Sequence, residues 1–227
     1  AVALHSRYEY GFYEVNDKVY VLATELKDEV SKATGLDFRE PIITCKGARL
    51  ENSKATHPFY DKIVPIVLAD YVTLDTGTGC VHTAPGHGAD DYETGVRYSL
   101  EVFNSVDDTG HFIKELPLVG GMSLSEGEQV VYGLLEKSGR LLGRLKIKHS
   151  YPHCWRCKKP VIFRATSQWF ISVADFKDKA LKCIDDVQWV PDWGKDRITN
   201  MVRDRSDWFI IRQRTWGVPI PAFYCED

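Results

Sequence analysis

The most chemically capable residues of the chain lie in one segment, Gly77 to Gly95, with the sequence GTGCVHTAPGHGADDYETG. Its glycines allow tight turns and a close approach of the backbone to a ligand, and Pro85 fixes a bend among them. Two histidines and two carboxylates supply the polar groups: His82, His87, Asp90 and Asp91. A pliable loop that carries titratable side chains predicts a binding or catalytic site.

Several kinds of chemistry fit this segment, and the residues alone leave them open. Residues 77–82 lack the third glycine of a dinucleotide-binding loop. A metal site from His82, His87 and Asp91 is conceivable, but nothing here resembles H-E-x-x-H on a helix. Cys80 and His82 share one face of a strand and could form a nucleophilic pair, without a recognised elbow around them. The simplest alternative is a glycine-rich turn with solvated carboxylates.

The sequence around this segment predicts the elements that must position it. Strands are predicted at Tyr8–Val15, Lys18–Leu22, Pro41–Leu50, Ile63–Leu68 and Tyr71–Asp75. Helices are predicted at Ala23–Thr34, Asp90–Leu100, Ser125–Lys137, Asp175–Ile184 and Trp193–Asp204. Asn16-Asp17 suits a hairpin turn, Gly35 suits a helix end, and Ser125 with Glu128 fits a capping box.

Many short strands with few helices predict the α+β class: a β-barrel-like domain with a few peripheral helices, then a mixed helical appendage. We place the first domain at residues 1–150 and the connecting segment at 151–227, because the composition changes there. The stretch from Lys137 to Arg164 has nine basic residues and no acidic one. It is either a solvated face or a contact surface for nucleic-acid phosphates, whose binding would depend steeply on salt.

Composition narrows the class of protein further. The 227 residues carry a formal net charge of −3, so any contact with nucleic acid must come from a local patch. No apolar run is long enough to span a bilayer, and the N-terminus does not resemble a signal peptide. Six scattered cysteines favour a reducing, cytoplasmic location. Both ends of the chain suggest positions inside a longer protein.

The glycine-rich segment resembles the signature of the editing domain that is inserted in class I aminoacyl-tRNA synthetases for branched aliphatic amino acids. His82 followed by Thr83-Ala84-Pro85-Gly86-His87-Gly88 is similar to the isoleucyl branch of that family. Three further stretches fit the family in order: Thr56–Phe59, His149–Arg156 and Arg212–Pro221. Together the matching stretches span most of the chain.

The resemblance implies post-transfer editing, which is hydrolysis of the ester between valine and a mischarged isoleucine tRNA at its 3′ end. Asp91 matches the carboxylate that binds the substrate's α-ammonium group, and His82 matches the residue beside the amino-acid side chain. These two are the implied catalytic residues. The implied substrate-binding residues are Gly77, Thr78, Gly79, Thr83, Gly86, His87, Gly88 and Asp90. For Asp90, a solvated carboxylate at a helix start is the simpler interpretation.

A second site makes energetic sense because one methylene in an apolar pocket is worth only about 1–3 kcal/mol, a range already established for isoleucine against valine. A sieve that excludes the larger residue by shape can hydrolyse the smaller one. An ester is an activated bond, so a positioned water with oriented hydrogen bonds can suffice. No side chain stands out as a nucleophile, and editing is expected to need no cofactor.

Other expectations also follow from the resemblance. The parent enzyme would be an ATP-dependent isoleucine-tRNA ligase, expected as a monomer, that uses ATP and Mg²⁺ elsewhere, and Arg212–Pro221 would lead back to its nucleotide-binding domain. A threonine-rich strand would precede residue 1, so the chain alone is expected to hydrolyse poorly. Cys154 and Cys157 have the spacing of half a zinc site. The alternatives are a zinc-stabilised, non-catalytic module that docks tRNA, and a paralogue that edits another amino acid.

Overall fold

The structure is a computed structural model that describes residues 1–205 and 207–210, together with Phe223 and Cys225. The predicted return segment Arg212–Pro221 lies outside the described residues. Contacts divide the chain into two compact units, Ala1–Ala165 and Thr166–Asp227. The predicted domain boundary near residue 150 stays a prediction.

The described part of the chain contains nine strands and five helices. The strands are β1 (Val2–Leu4), β2 (Glu9–Val15), β3 (Lys18–Ala23), β4 (Ile43–Lys46), β5 (Lys54–Thr56), β6 (Ile63–Leu68), β7 (Val81–His82), β8 (Phe170–Ile171) and β9 (Trp208–Phe209). The helices are α1 (Lys27–Thr34), α2 (Ala89–Arg97), α3 (Leu124–Lys137), α4 (Ala174–Asp185) and α5 (Trp193–Arg203). Short 3₁₀ turns occupy Thr24–Leu26 and Gly47–Leu50.

Two sheets form the frame of the first unit. One is antiparallel with the order β3-β2-β4, and the other has the order β5-β6-β1-β7, in which only β1 and β6 are parallel. The main core cluster is built from Leu4, Tyr10, Tyr13, Leu22, Ala23, Leu26, Val30 and Phe38. A second cluster contains Ala3, Val67, Ala69 and Val72. Since neighbouring residues of β1 supply both clusters, this strand is held from both faces.

The predicted hairpin is confirmed by its turn. Asn16 and Asp17 have positive φ angles of 51° and 59°, which a two-residue hairpin turn of the primed type requires. The helix predicted from Ala23 begins instead as a 3₁₀ turn, and the α-helical part ends at Gly35, whose φ is 73°. A left-handed residue after the last turn is best served by glycine.

The strand predicted at Tyr71–Asp75 is wrong. Its apolar residues pack against different clusters: Val72 is fully buried in the second core cluster with Tyr71 against it, and Leu74 packs against the main cluster. The Tyr71 hydroxyl also shares a hydrogen bond with Thr83. The remaining side chains from Thr73 to Asp75 are exposed or half-buried, and this backbone joins no sheet. Alternating apolar residues that pack against two separate clusters therefore gave the pattern of a strand.

The capping box of α3 lies two residues earlier than predicted. The sequence contains the Ser-x-x-Glu spacing twice, and the structure uses Ser123 with Glu126 rather than Ser125 with Glu128. The Ser123 N–H donates to Glu126 Oε2 at 2.9 Å, and the Glu126 N–H donates to Ser123 Oγ at 3.4 Å. The bridge between His111 and Ser123 extends the backbone just before the helix, which sets this earlier start.

The α+β class is confirmed, but the described strands form open sheets and no closed barrel. In the second unit α4 and α5 lie where helices are predicted. Trp193 and Trp208 there are 63% and 52% exposed, so neither tryptophan is a core residue. Within the described residues, we find no helix with the length and hydrophobicity that a membrane crossing requires.

The capping assignment can be tested by unfolding the chain in denaturant. Ser123→Ala removes the side-chain acceptor of the cap and should lower the free energy of unfolding by about 1 kcal/mol. Ser125→Ala is the matched control, because Ser125 lies inside the helix and is exposed, and it should change stability by less than about 0.5 kcal/mol. An equal or larger loss with Ser125→Ala would contradict the assignment.

Candidate functional site

The start of the glycine-rich segment is fastened to the core. Gly77 and Gly79 have φ angles of 83° and 73°, which glycine tolerates without strain. The Thr78 carbonyl accepts the Ala23 N–H at 2.9 Å, and the Gly79 carbonyl accepts the Tyr10 hydroxyl at 2.7 Å. These contacts hold the loop against the end of β3, so the backbone here positions the site.

His82 and Asp91 approach each other from two different elements. His82 ends β7, opposite Val2 of β1, and Asp91 lies in the first turn of α2. The Asp91 Oδ2 accepts the Ala84 N–H at 3.2 Å, which ties the start of the helix to the segment after β7. Asp91 is half-buried, whereas Asp90 is exposed. This difference agrees with the simpler interpretation of Asp90 as a solvated carboxylate.

The environment of His82 favours its neutral form. Although the residue as a whole is exposed, desolvation by the protein around its ring is the largest cause that lowers the pKa of His82. The Asp91 carboxylate is near enough to oppose that shift. An uncharged imidazole beside a carboxylate can contact an apolar group while the carboxylate attracts a cation.

Tyr71 is a member of this cluster that the sequence did not reveal. Its hydroxyl shares a hydrogen bond of 2.7 Å with the Oγ1 of Thr83, a side chain that is only 1% exposed. Burial raises the pKa of Tyr71, and the nearby Asp91 carboxylate adds to that effect. No spacing signal links Tyr71 to Thr83, since only the pairing of separate segments brings them together.

Residues 86–88 have structural contacts of their own. The Ser105 N–H donates to His87 Nε2 at 3.2 Å, so the Nδ1 of the neutral ring donates to the Phe163 carbonyl at 3.1 Å. A Cβ on Gly86 would lie 2.2 Å from the Phe103 carbonyl oxygen. A Cβ on Gly88 would lie 3.1 Å from Asp91 Oδ2, so the glycine there leaves that oxygen uncovered.

The positions of these side chains argue against the metal site and the Cys80–His82 nucleophilic pair. The ring of His87 faces Ser105 and Phe163, so His82, His87 and Asp91 do not converge as ligands. The part of the chain that the structure describes holds no cluster of three or more His, Cys, Asp or Glu able to bind a metal. Burial raises the pKa of the Cys80 thiol to about 11, and a protonated thiol is a poor nucleophile.

Cys154 and Cys157 lie in a tight hairpin. The Cys154 carbonyl accepts the Lys158 N–H, and the Cys154 N–H donates to the Lys159 carbonyl, both at 2.8 Å. Lys158 has a positive φ of 57°, and Cys157 is exposed. This geometry presents the two sulfurs from one turn, and bound zinc stays a prediction.

The basic stretch is only partly a solvated face. Arg164 forms an ion pair with Asp108, in which the nitrogen and oxygen are 2.6 Å apart. Arg144 lies 3.9 Å from Glu128 and also stacks over the ring of Tyr132. At least two of the nine cations are therefore partly neutralised within the protein, which weakens the stretch as a uniform phosphate-binding surface.

Comparison with known proteins gives the family. A family model described as tRNA synthetases class I (I, L, M and V) matches residues 5–227. The isoleucine–tRNA ligase of Caldanaerobacter subterraneus is 52% identical over 227 residues, which are all of this chain and 24% of that protein. That of Nitratidesulfovibrio vulgaris is 52% identical over 229 residues, with the same coverage. The chain thus spans about a quarter of the length of these relatives.

A crystal structure of GlLeuRS-CP1 supports the fold. It matches with a TM-score of 0.50 at 16% identity, over 64% of this chain and 77% of that one. Together with the motif order, the family match defines the class as the class I tRNA synthetases. The chain therefore belongs to the class I tRNA synthetase family, and over its whole length it is about half identical to isoleucine–tRNA ligases.

Thiol reactivity tests the environment of Cys80. With a pKa of about 11, only about one Cys80 thiol in several thousand is ionised at pH 7.5. Brief alkylation of the folded chain at that pH should label exposed Cys157 and leave Cys80 unmodified by peptide mass spectrometry. Labelling of both residues at one rate would show that Cys80 is neither buried nor protonated, and labelling after unfolding is the control.

Gly86 can be tested for its packing role. Gly86→Ala should lower the free energy of unfolding by about 1–3 kcal/mol, because the added methyl overlaps the Phe103 backbone. Gly133→Ala in α3 is the matched control, since its Cβ would meet nothing within 4 Å, and alanine there should be neutral or stabilising by up to about 1 kcal/mol. Unchanged stability of Gly86→Ala in a urea titration would disprove the packing role.

Proposed function

We propose that this chain is the editing part of an isoleucine–tRNA ligase and hydrolyses the ester that joins valine to isoleucine tRNA. The observation that carries the proposal is the approach of His82 and Asp91, which come from β7 and α2 to one place. Family membership and the likeness to a CP1 structure support it. The parent's ATP-dependent ligation, its use of Mg²⁺, its monomeric state and its cytoplasmic location are part of the same proposal.

Asp91 would hold the α-ammonium group of the esterified amino acid. Its Oδ2 accepts one backbone N–H from Ala84, and an ionised carboxylate has several further acceptor positions. A half-buried carboxylate attracts a cation more strongly than a fully hydrated one, because less water screens the pair. The hydrogen bond from Ala84 also keeps the carboxylate from turning away when no substrate is bound.

His82 would contact the amino-acid side chain. The lowered pKa keeps its ring neutral near pH 7, and a neutral ring can lie against an alkyl group at little desolvation cost. Its position opposite Val2 fixes it on the rigid part of the sheet. A wall held in this way can reject one additional carbon, because a packed site does not expand freely.

Hydrolysis would use water rather than an enzyme nucleophile. Cys80 is protonated at neutral pH, and the Thr83 hydroxyl is already in a hydrogen bond with the Tyr71 hydroxyl. An aminoacyl ester is reactive enough for a water that is held in line and polarised by oriented groups. The remaining walls, the threonine-rich strand and a barrel-like closure of the sheets stay predictions that rest on the family resemblance.

A tRNA-docking module without chemistry is the second candidate. The exposed hairpin at Cys154 and Cys157 favours it, because such a turn suits a zinc site within a docking surface. The ion pairs of Arg144 and Arg164 count against it. Under this alternative, replacing site residues near Asp91 would leave the deacylation of valyl-tRNA intact.

Removing the negative charge of Asp91 is the most direct test of the proposed editing function. Asp91→Asn keeps an oxygen for the Ala84 N–H but removes the charge, so it should lower kcat/KM for valyl-tRNA deacylation by the full-length ligase by about 10- to 100-fold. Asp90→Asn is the matched control and should stay near the wild-type rate, since Asp90 is exposed. Clearance of valyl-tRNA by Asp91→Asn at the wild-type rate would rule out the assigned role.

A further inference from the structure

His57 belongs to the stretch Thr56–Phe59, which the proposed function does not yet use. It follows β5 directly, and its N–H donates to the Lys62 carbonyl at 2.8 Å. Its Nδ1 accepts the N–H groups of Phe59 and Tyr60 at 3.3 and 3.1 Å. Since both partners are donors, the proton of the neutral ring lies on Nε2, at the opposite edge.

The ring of His57 is held in place on several sides. Its centroid lies 4.5 Å from the ring of Phe59 and 4.9 Å from that of Tyr60. The Tyr60 hydroxyl in turn donates to the Pro117 carbonyl at 2.9 Å. A half-buried imidazole with this support is a rigid group, and the Nδ1 edge is used to shape the turn. The Nε2 edge does not take part in these hydrogen bonds of the turn.

The register of the four-stranded sheet relates His57 to His82. Val2 pairs with both His82 and Ile66, and residues that pair directly share one face of a sheet. Two residues back along β6, Val64 therefore lies on the same face.

Val64 pairs with Ala55, and His57 follows Ala55 by two residues. Alternation along β5 thus assigns His57 to the face that carries His82. The opposite face is buried at Ala3 and Val67, and on the face of His82 the next residue of β1, Leu4, is buried in the main core cluster. Val2 and Val64 are only half-buried.

His82 is also near enough to influence the pKa of His57. Desolvation is the largest cause that lowers the pKa of His57, and the charge of His82 is the next. The two rings thus border one region of the sheet face, with the half-buried Val2 and Val64 between the strands that carry them. This arrangement has polar, rigid sides and an apolar floor, which suits a small branched alkyl group.

We propose that His57 is a specificity-determining residue whose Nε2 edge forms the wall opposite His82, across a floor of Val2 and Val64. The pocket between the two rings then holds the side chain of valine and excludes that of isoleucine. This inference rests on the proposed editing function and adds a second wall to it. Both walls are attached to strands of one sheet, so their separation is set by the strand pairing.

The test uses the full-length ligase and measures deacylation of valyl- and isoleucyl-tRNA separately. His57→Asn keeps an oxygen near the Nδ1 position for the turn but removes the outer part of the ring. The rate of isoleucyl-tRNA deacylation divided by that of valyl-tRNA should rise about 10-fold or more. A change of this size corresponds to the discrimination that one methylene group provides. Val64→Ala deepens the floor without affecting the turn and should raise the same ratio.

His111→Asn is the matched control, because His111 is exposed in another loop, and it should leave the ratio unchanged. A wild-type ratio in both His57→Asn and Val64→Ala would overturn the inference. Equal loss of both deacylations in a natively folded His57→Asn would also overturn it, since His57 would then hold substrate rather than exclude it. Failure of the editing proposal itself is distinguishable, because the wild-type ligase would then not deacylate valyl-tRNA.

Discussion

The pairing of β1 with two strands at once is the constraint on which the candidate site depends. Three residues, Val2–Leu4, join β6 on one side and β7 on the other. They also place Ala3 and Leu4 in different core clusters. A shift of one residue would exchange the two faces of the strand, which would turn Ala3 and Leu4 away from the clusters in which they pack. The same register puts His82 opposite Val2, so core packing and site geometry are set together.

The glycine-rich segment divides its residues between two tasks. Gly79, Gly86 and His87 hold it to the core, to the Phe103 backbone and to Ser105 and Phe163. Asp91 and His82 lie near enough for the Asp91 charge to act on the His82 ring. Such a division is physically required, because a loop of this length has little packing of its own and must be tied down before it can aim a side chain.

Local signals predicted much of this structure, and long-range pairings did not. The hairpin at Asn16-Asp17, the end of α1 at Gly35 and the helices α2 to α5 follow from turn residues and periodicity within short windows. The start of α3 was misplaced because Ser-x-x-Glu occurs twice, and only the bridge from His111 to Ser123 selects between them. Tyr71 escaped notice for the same reason, since its partner Thr83 comes from another segment.

A pocket that distinguishes amino-acid side chains by size needs walls that do not move. Such walls must therefore belong to rigid elements of the fold. A residue in a mobile loop yields to a larger side chain at a cost below the 1–3 kcal/mol that a methylene offers. Strand pairing costs more to distort, because each shift breaks backbone hydrogen bonds that buried groups must keep. His82 ends a strand, and His57 is fixed at the end of another by three hydrogen bonds. Asp91, for which we propose contact with an ammonium group common to all amino acids, needs no such rigidity and lies at a helix start.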